Sequence, residues 1–164
     1  MSIAGVELLK SDVRADARGS FTKVFSGVAE TFVECYYSTS KRGVVRGLHF
    51  QEPPFDHLKL VTCIAGTAFD CVVDLRRASA TYGQAFHASL APGEAIVIPK
   101  GCAHGFCATS EETTLLYHVT SVHSPRHDAG IHWTSADVPW PVRDPVLSDR
   151  DRHLPHLRDY VSPF

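Results

Sequence analysis

The chain has 164 residues, 44% hydrophobic and 21% charged, which fits one folded domain with a core of useful size and excludes a disordered polymer. A formal net charge of −2 supplies no global field for nucleic acid or an anionic membrane, so an anionic ligand needs a local basic cluster. Five cysteines (Cys35, Cys63, Cys71, Cys102, Cys107), odd in number and without CxxC spacing, read as free thiols of a cytoplasmic protein.

The N-terminal stretch MSIAGVELLKSDVRAD has no apolar run behind a basic start, and no segment approaches the length of a membrane span. A 3.6-residue periodicity occurs only near Val28 to Phe32; elsewhere short apolar or alternating runs are separated by Gly, Pro and Asp. Next comes RGLHFQEPPFDHLKL, Arg46 to Leu60, which sets His49 between a glycine turn and an aromatic, with Lys59 ten residues on. No phosphate-binding glycine loop accompanies them, so the pair suggests proton transfer beside a developing negative charge. Taken alone, His49 reads equally well as a core histidine bonded to backbone. Arg46, Gln51 and Lys59 in the same short segment shift that balance, because such a set is costly to bury without purpose. Strand parity places Arg46 and His49 on opposite faces, so both line one pocket only if the backbone bends at Gly47.

KLVTCIAG (59–66) and TAFDCVVDLR (67–76) meet at Gly66 and read as a hairpin. In the second run Phe69, Cys71, Val73 and Leu75 share one face, with Asp70, Val72 and Asp74 on the other. AFHASLA (85–91), EAIVIP (94–99) and TTLLYHVTSV (113–122) continue the pattern across PG and KG turns. Tyr117 shares a face with Leu115 and Val119, which places it inside with a hydroxyl that needs a partner. The tail from Thr134 to Phe164 is rich in Pro, Asp, Arg and His and is expected to wrap the body, anchored by Trp133 and Trp140. Within it, Asp151 reads from its surroundings as a solvated charge. Regular strands with little helix predict a single all-β domain over residues 1–164, a sandwich or barrel.

PGEAIVIPKGCAHGF (92–106) matches the second motif of the cupin superfamily at Gly93, Pro99, Gly101 and His104, with Ala108 where that motif has asparagine. Gly101 permits a tight turn, after which His104 points from a strand into the barrel. The first cupin motif, two histidines and a glutamate, is missing. Lys59 stands where the glutamate would, and a cation does not share a site with a bound metal, so no metal is expected. The fold expectation is a cupin-type β-sandwich or jelly-roll barrel with short peripheral helices.

These motifs in this order give a family resemblance. The chain resembles the dTDP-4-dehydrorhamnose 3,5-epimerases from about Asp16 to Asp151, through DARGSF, KRGVVRGLHFQ, the KLV…G…D…VDLR block, IPKGCAHGF, LLYHVT, SPRHDAGIHW, WPV and LSDRD. The resemblance implies a cytoplasmic homodimer without metal or organic cofactor, acting on a nucleotide-diphospho-4-keto-6-deoxy sugar in deoxysugar biosynthesis. It implies a general-base histidine at His49, its aspartate partner at Asp151, a lysine near the sugar carbonyl at Lys59, and a proton-donating tyrosine at Tyr117. Diphosphate and sugar contacts fall on Arg18, Arg46, His104 and Asp128, the last usually glutamate in the family. Phe21 matches the aromatic of the RG-x-F turn, and Gln51 joins the expected lining. The DARGSF strand is expected to reach a neighbour's pocket, where Arg18 would act in trans.

Departures from the family cluster where it reads the nucleotide. Members acting on dTDP-sugars carry glutamine and asparagine where this chain has Glu34 and Tyr36. Lys23 replaces a glutamate, and His123 replaces a tyrosine that stacks on thymine. The expectation is therefore retained chemistry with dTDP, GDP or CDP as the nucleotide, and inversion at C3, C5 or both. A 3,4-ketoisomerase, a non-catalytic sugar-nucleotide-binding cupin and a metal-dependent cupin stand as the other readings.

Overall fold

The computed structural model of the protein describes residues 2–26 and 29–164. One five-stranded sheet has the order β1 (Glu7–Lys10), β9 (Glu94–Ile98), β6 (Lys59–Ala65), β11 (Glu112–Val119), β4 (Glu34–Lys41). A second has the order β12 (Asp128–Gly130), β5 (Val45–Gln51), β10 (Cys102–Ala108), β7 (Ala68–Asp74), β8 (Ala85–Leu90). A hairpin, β2 (Val13–Asp16) with β3 (Gly19–Thr22), stands apart from both. Neighbouring strands pair antiparallel throughout. This is the expected β-sandwich, with one helical turn α1 (Asp149–Arg152) and a 3-10 turn (Leu157–Asp159) at its periphery.

The runs on either side of Gly66 do not form the expected hairpin. β6 pairs with β9 and β11, whereas β7 pairs with β10 and β8. Gly66, at φ +71°, instead turns the chain from one sheet to the other. Both strands are largely buried, so neither shows the clean alternation that would reveal which layer it joins. The periodicity near Val28 to Phe32 does not give a helix either. Residues 29–33 are irregular and Val28 lies outside the described residues. Phe32 packs edge-on against Phe25 at 5.4 Å and at a tilt against His118 at 5.5 Å.

Two apolar clusters account for the burial of β7 and β10 on both faces. Val61, Val72, Ile96, Phe106 and Leu115 belong to one cluster with Tyr117. Leu48, Cys71, Val73, Leu75 and Ile131 form the other, against Val138, Trp140, Leu157, Tyr160 and Phe164 of the C-terminal tail. The parity read for β7 therefore holds, with Val72 in the first cluster and Cys71, Val73 and Leu75 in the second. Trp140 is an anchor of the tail. Trp133 supports it, accepting the Trp140 indole N–H on its carbonyl at 3.0 Å. All five cysteines are free, four of them buried and Cys35 exposed. Among the described residues no helix is long and apolar enough to cross a membrane.

Candidate active site

A cavity of about 430 Å³ is lined by residues of both five-stranded sheets and of α1. Its shape begins with an irregularity in β5. His49 pairs with His104 of β10, but Arg46 pairs with Phe106, so three steps along β5 oppose two along β10. The extra residue brings Arg46 and His49 to one cavity, as the bend expected at Gly47 requires. Gly47 has φ +130°, and a Cβ there would lie 2.5 Å from Gly105 Cα and 2.9 Å from the His104 carbonyl oxygen. Only glycine admits so close an approach of the two strands.

His49 is held from below by α1. Its Nε2 lies 2.6 Å from Asp151 Oδ1, and Asp151 Oδ2 accepts the Gly47 N–H at 3.4 Å. Asp151 is 3% exposed, so the reading of a solvated tail charge is overturned. Ser148 caps the single turn by accepting the Asp151 N–H at 3.0 Å, which fixes the carboxylate under β5. Burial alone would raise the Asp151 carboxyl. The His49 ring, the Gly47 N–H and Ser148 outweigh it and hold the carboxyl below its ordinary value. An ionised partner on Nε2 keeps the proton on that nitrogen and leaves Nδ1 as the basic one.

Lys59, the first residue of β6, is 7% exposed and donates to the His49 carbonyl at 3.3 Å. Burial brings its pKa down to about 8, against the opposing pull of Asp128 and Asp70. Tyr117 enters from β11, opposite β5, with its hydroxyl 3.4 Å from Ser38 Oγ and its ring stacked on Tyr36 at 4.9 Å. Burial raises the Tyr117 phenol, with Ser38 opposing, so it carries its proton throughout the neutral range. His104, 4% exposed, lies 2.8 Å from Asp70 Oδ2 through its Nε2.

The remaining expected residues divide into two groups. Glu34, Tyr36, Gln51, His123 and Asp128 line the cavity together with Arg46, His49, Lys59, His104 and Tyr117. Gln51 has its amide engaged, accepting the Ser124 N–H at 2.6 Å and donating to the Phe55 carbonyl at 2.9 Å, so it fastens the loops of the rim. Arg18, Phe21 and Lys23 do not reach the cavity of their own chain. Arg18 is exposed and paired with Asp16 at 2.6 Å, while Phe21 and Lys23 line a separate groove of the N-terminal arm.

Sequence reasoning missed seven lining residues, Ser38, Phe50, Phe106 and Val119 besides Arg150, His57 and Ser121. Arg150 pairs with Asp128 at 2.8 Å and so ties α1 to β12. Its only signal was adjacency to Asp151. His57 lies two residues before Lys59, and that strand parity would have pointed to it. Ser121, two residues beyond Val119, carried the same signal. Among the described residues no group of three or more His, Cys, Asp or Glu side chains is arranged to hold a metal ion. Lys59 places an ammonium on the cavity lining, an unfavourable neighbour for a bound cation.

The arrangement sets an imidazole, His49, and a phenol, Tyr117, on opposite sheets, with the Lys59 ammonium on the same cavity. Comparison with known proteins identifies the family. The family model described as dTDP-4-dehydrorhamnose 3,5-epimerase matches residues 1–159. The chain is 37% identical over 161 residues to the dTDP-4-dehydrorhamnose 3,5-epimerase of Shigella flexneri, covering 91% of this chain and 89% of that one. It is similar to the Bacillus anthracis enzyme of that name, solved with TDP and PPi bound, at a TM-score of 0.88 and 38% identity over 93% of this chain and 94% of that one. It is also similar to the Legionella pneumophila epimerase solved with dTDP-4-keto-L-rhamnose, at a TM-score of 0.90 and 32% identity over 96% and 90% of the two chains. The chain belongs to the dTDP-4-dehydrorhamnose 3,5-epimerase family and is an isomerase.

Proposed function

We propose that this member of the family epimerises a nucleotide-diphospho-4-keto-6-deoxy sugar by removing and returning a proton next to the C4 ketone. The observation that carries the reading is the facing of His49 and Tyr117 from opposite sheets across one cavity, with the Lys59 ammonium beside His49. The ketone acidifies the C–H bonds at C3 and C5. His49 Nδ1 takes a proton from one of these carbons, and Asp151 stabilises the imidazolium that forms. The electron pair moves onto the ketone oxygen as an enolate, where the Lys59 ammonium offsets its charge. Tyr117 then delivers a proton to the opposite face of the same carbon, which inverts the centre. Arg46 and Arg150 are suited to the diphosphate as guanidiniums lining the same cavity. The working form in this reading is a homodimer whose Arg18 acts in the neighbour's cavity.

Incubation with 4-keto-6-deoxy sugars linked to dTDP, GDP and CDP in D2O, followed by mass spectrometry and NMR, tests the reading. Deuterium is expected at C3, at C5 or at both in at least one of them. The His49→Ala variant is expected to lose about 10²- to 10⁴-fold in the rate of exchange. Absence of exchange in all three sugars would overturn the assignment of His49 as the base.

A further inference from the structure

Proton transfer as read above makes no use of Tyr36, although its ring lies flat against that of the acid. Tyr36 of β4 and Tyr117 of β11 are directly opposite in the antiparallel register, so both side chains rise on one side of the sheet, and both line the cavity. Their ring planes are 13° from parallel, with centroids 4.9 Å apart. Two residues on, Ser38 rises from the same face of β4, and its Oγ lies 3.4 Å from the Tyr117 hydroxyl. His104 stands edge-to-face with the Tyr117 ring at 6.1 Å.

These three contacts differ in how firmly they hold the phenol. The Ser38 contact, at 3.4 Å, is longer than the ordinary hydroxyl pair of about 2.5–3.0 Å. His104 is itself fixed, 4% exposed and 2.8 Å from Asp70, but it meets the ring at a wide angle of 68°. The broad face of the ring is held by Tyr36. A strand tyrosine has two common χ1 rotamers, so a ring without a partner on its face can swing.

Such a swing matters for the acid and not for the base. Proton transfer needs close, aligned atoms, and a misplacement of about 1 Å costs about 10²-fold. His49 stands on the other sheet and is oriented by Asp151 of α1. Resting on the epimerase reading above, we propose that Tyr36 is a positioning residue, whose ring holds the Tyr117 phenol where it returns a proton to the face of the carbon opposite His49. Loss of the stack then uncouples the two halves of the reaction. His49 still removes a proton and leaves the enolate. After exchange with solvent, the Nδ1–H bond breaks as a C–H bond forms on the original face and the electron pair on oxygen remakes the ketone. The carbon keeps its configuration. Inversion needs the Tyr117 O–H bond to break instead, with the phenolate reprotonated from solvent.

Two variants test this with the dTDP-, GDP- and CDP-linked 4-keto-6-deoxy sugars in D2O. Tyr36→Leu keeps apolar bulk and removes the flat ring, whereas Tyr36→Phe keeps the ring and removes the hydroxyl. NMR and mass spectrometry count deuterium gained with retained and with inverted configuration at C3 and C5. Inversions per exchange are expected to fall at least about 10-fold in Tyr36→Leu and to stay within about twofold of native in Tyr36→Phe. The ratio does not depend on how much of a variant folds, because unfolded chains add to neither count. An unmoved ratio in Tyr36→Leu, the result of a merely structural role, would overturn the proposal. So would an equal fall in Tyr36→Phe, which would assign the effect to the hydroxyl, or loss of all exchange in Tyr36→Leu, which would tie Tyr36 to proton removal. Native protein that exchanges deuterium into none of the three sugars sinks the epimerase reading itself. Native exchange with a ratio indifferent to Tyr36 sinks only the positioning role.

Discussion

Lys59 holds an ammonium in a position that is 7% exposed, with one hydrogen bond, to the His49 carbonyl. Its pKa of about 8 lies below the ordinary 10.5, so the folded protein disfavours the charge. Below pH 8 both states are protonated and the full penalty is present. Between pH 8 and 10.5 the native state releases the proton first, the unfolded state binds more, and stability rises with pH. Replacing Lys59 with methionine is expected to raise stability at pH 7 by about 2–3 kcal/mol in urea denaturation and to flatten the rise above pH 8. The same change is expected to abolish the enolate's counter-charge and lower kcat by at least about 10²-fold. The native enzyme's kcat is expected to fall as pH passes 8. A variant both less stable and fully active would refute both halves. Asp151→Asn isolates the other partner of His49: it keeps the shape, removes the charge, and is expected to lower kcat by roughly 10²- to 10⁴-fold with KM little changed. His49, Lys59 and Tyr117 were legible because their own segments carry the pattern. Asp151 was not, since its burial depends on α1 docking beneath a strand more than a hundred residues earlier in the chain.

Strand existence was legible at the scale of elements, and strand partnership was not. The apolar runs at 59–66 and 67–76 become β6 and β7, yet they lie in different sheets because Gly66 turns the chain across the sandwich. A run buried on both faces fits either layer, so periodicity gives no register. The bend at Gly47 was readable because two site residues on opposite faces demanded it. Gly47→Ala would drive a Cβ into Gly105 and the His104 carbonyl from a backbone at φ +130°. The expected outcome is a loss of about 3 kcal/mol or more in a denaturant titration. Retained stability within about 0.5 kcal/mol would mean that β5 and β10 separate easily, and the shared cavity of Arg46 and His49 would lose its physical basis.

For the whole molecule, the hairpin β2–β3 pairs only with itself, and isolated two-stranded hairpins are marginal in water. Phe21 on it is 65% exposed, and Val13 is 49% exposed. On the sandwich, β4 is an unpaired edge beside the cavity, with Tyr37 70% exposed. A hairpin with exposed apolar side chains and an open edge strand are surfaces that a second copy of the chain would cover. Arg18, Phe21 and Lys23 would then complete the neighbour's cavity, which explains why the chain's own fold leaves them outside the site that the family resemblance assigns them. The arrangement has a distinctive signature in mixing experiments. Arg18→Ala and His49→Ala are each expected to be nearly inactive as homodimers. In a mixed dimer the Arg18→Ala subunit keeps His49 and receives Arg18 from its neighbour, so one of its two sites is native. Equal mixing with subunit exchange should therefore restore about a quarter of native activity, since about half of the dimers are mixed. If Arg18 acted within its own chain, each mixed dimer would hold two damaged sites and the mixture would show only the average of the two parents.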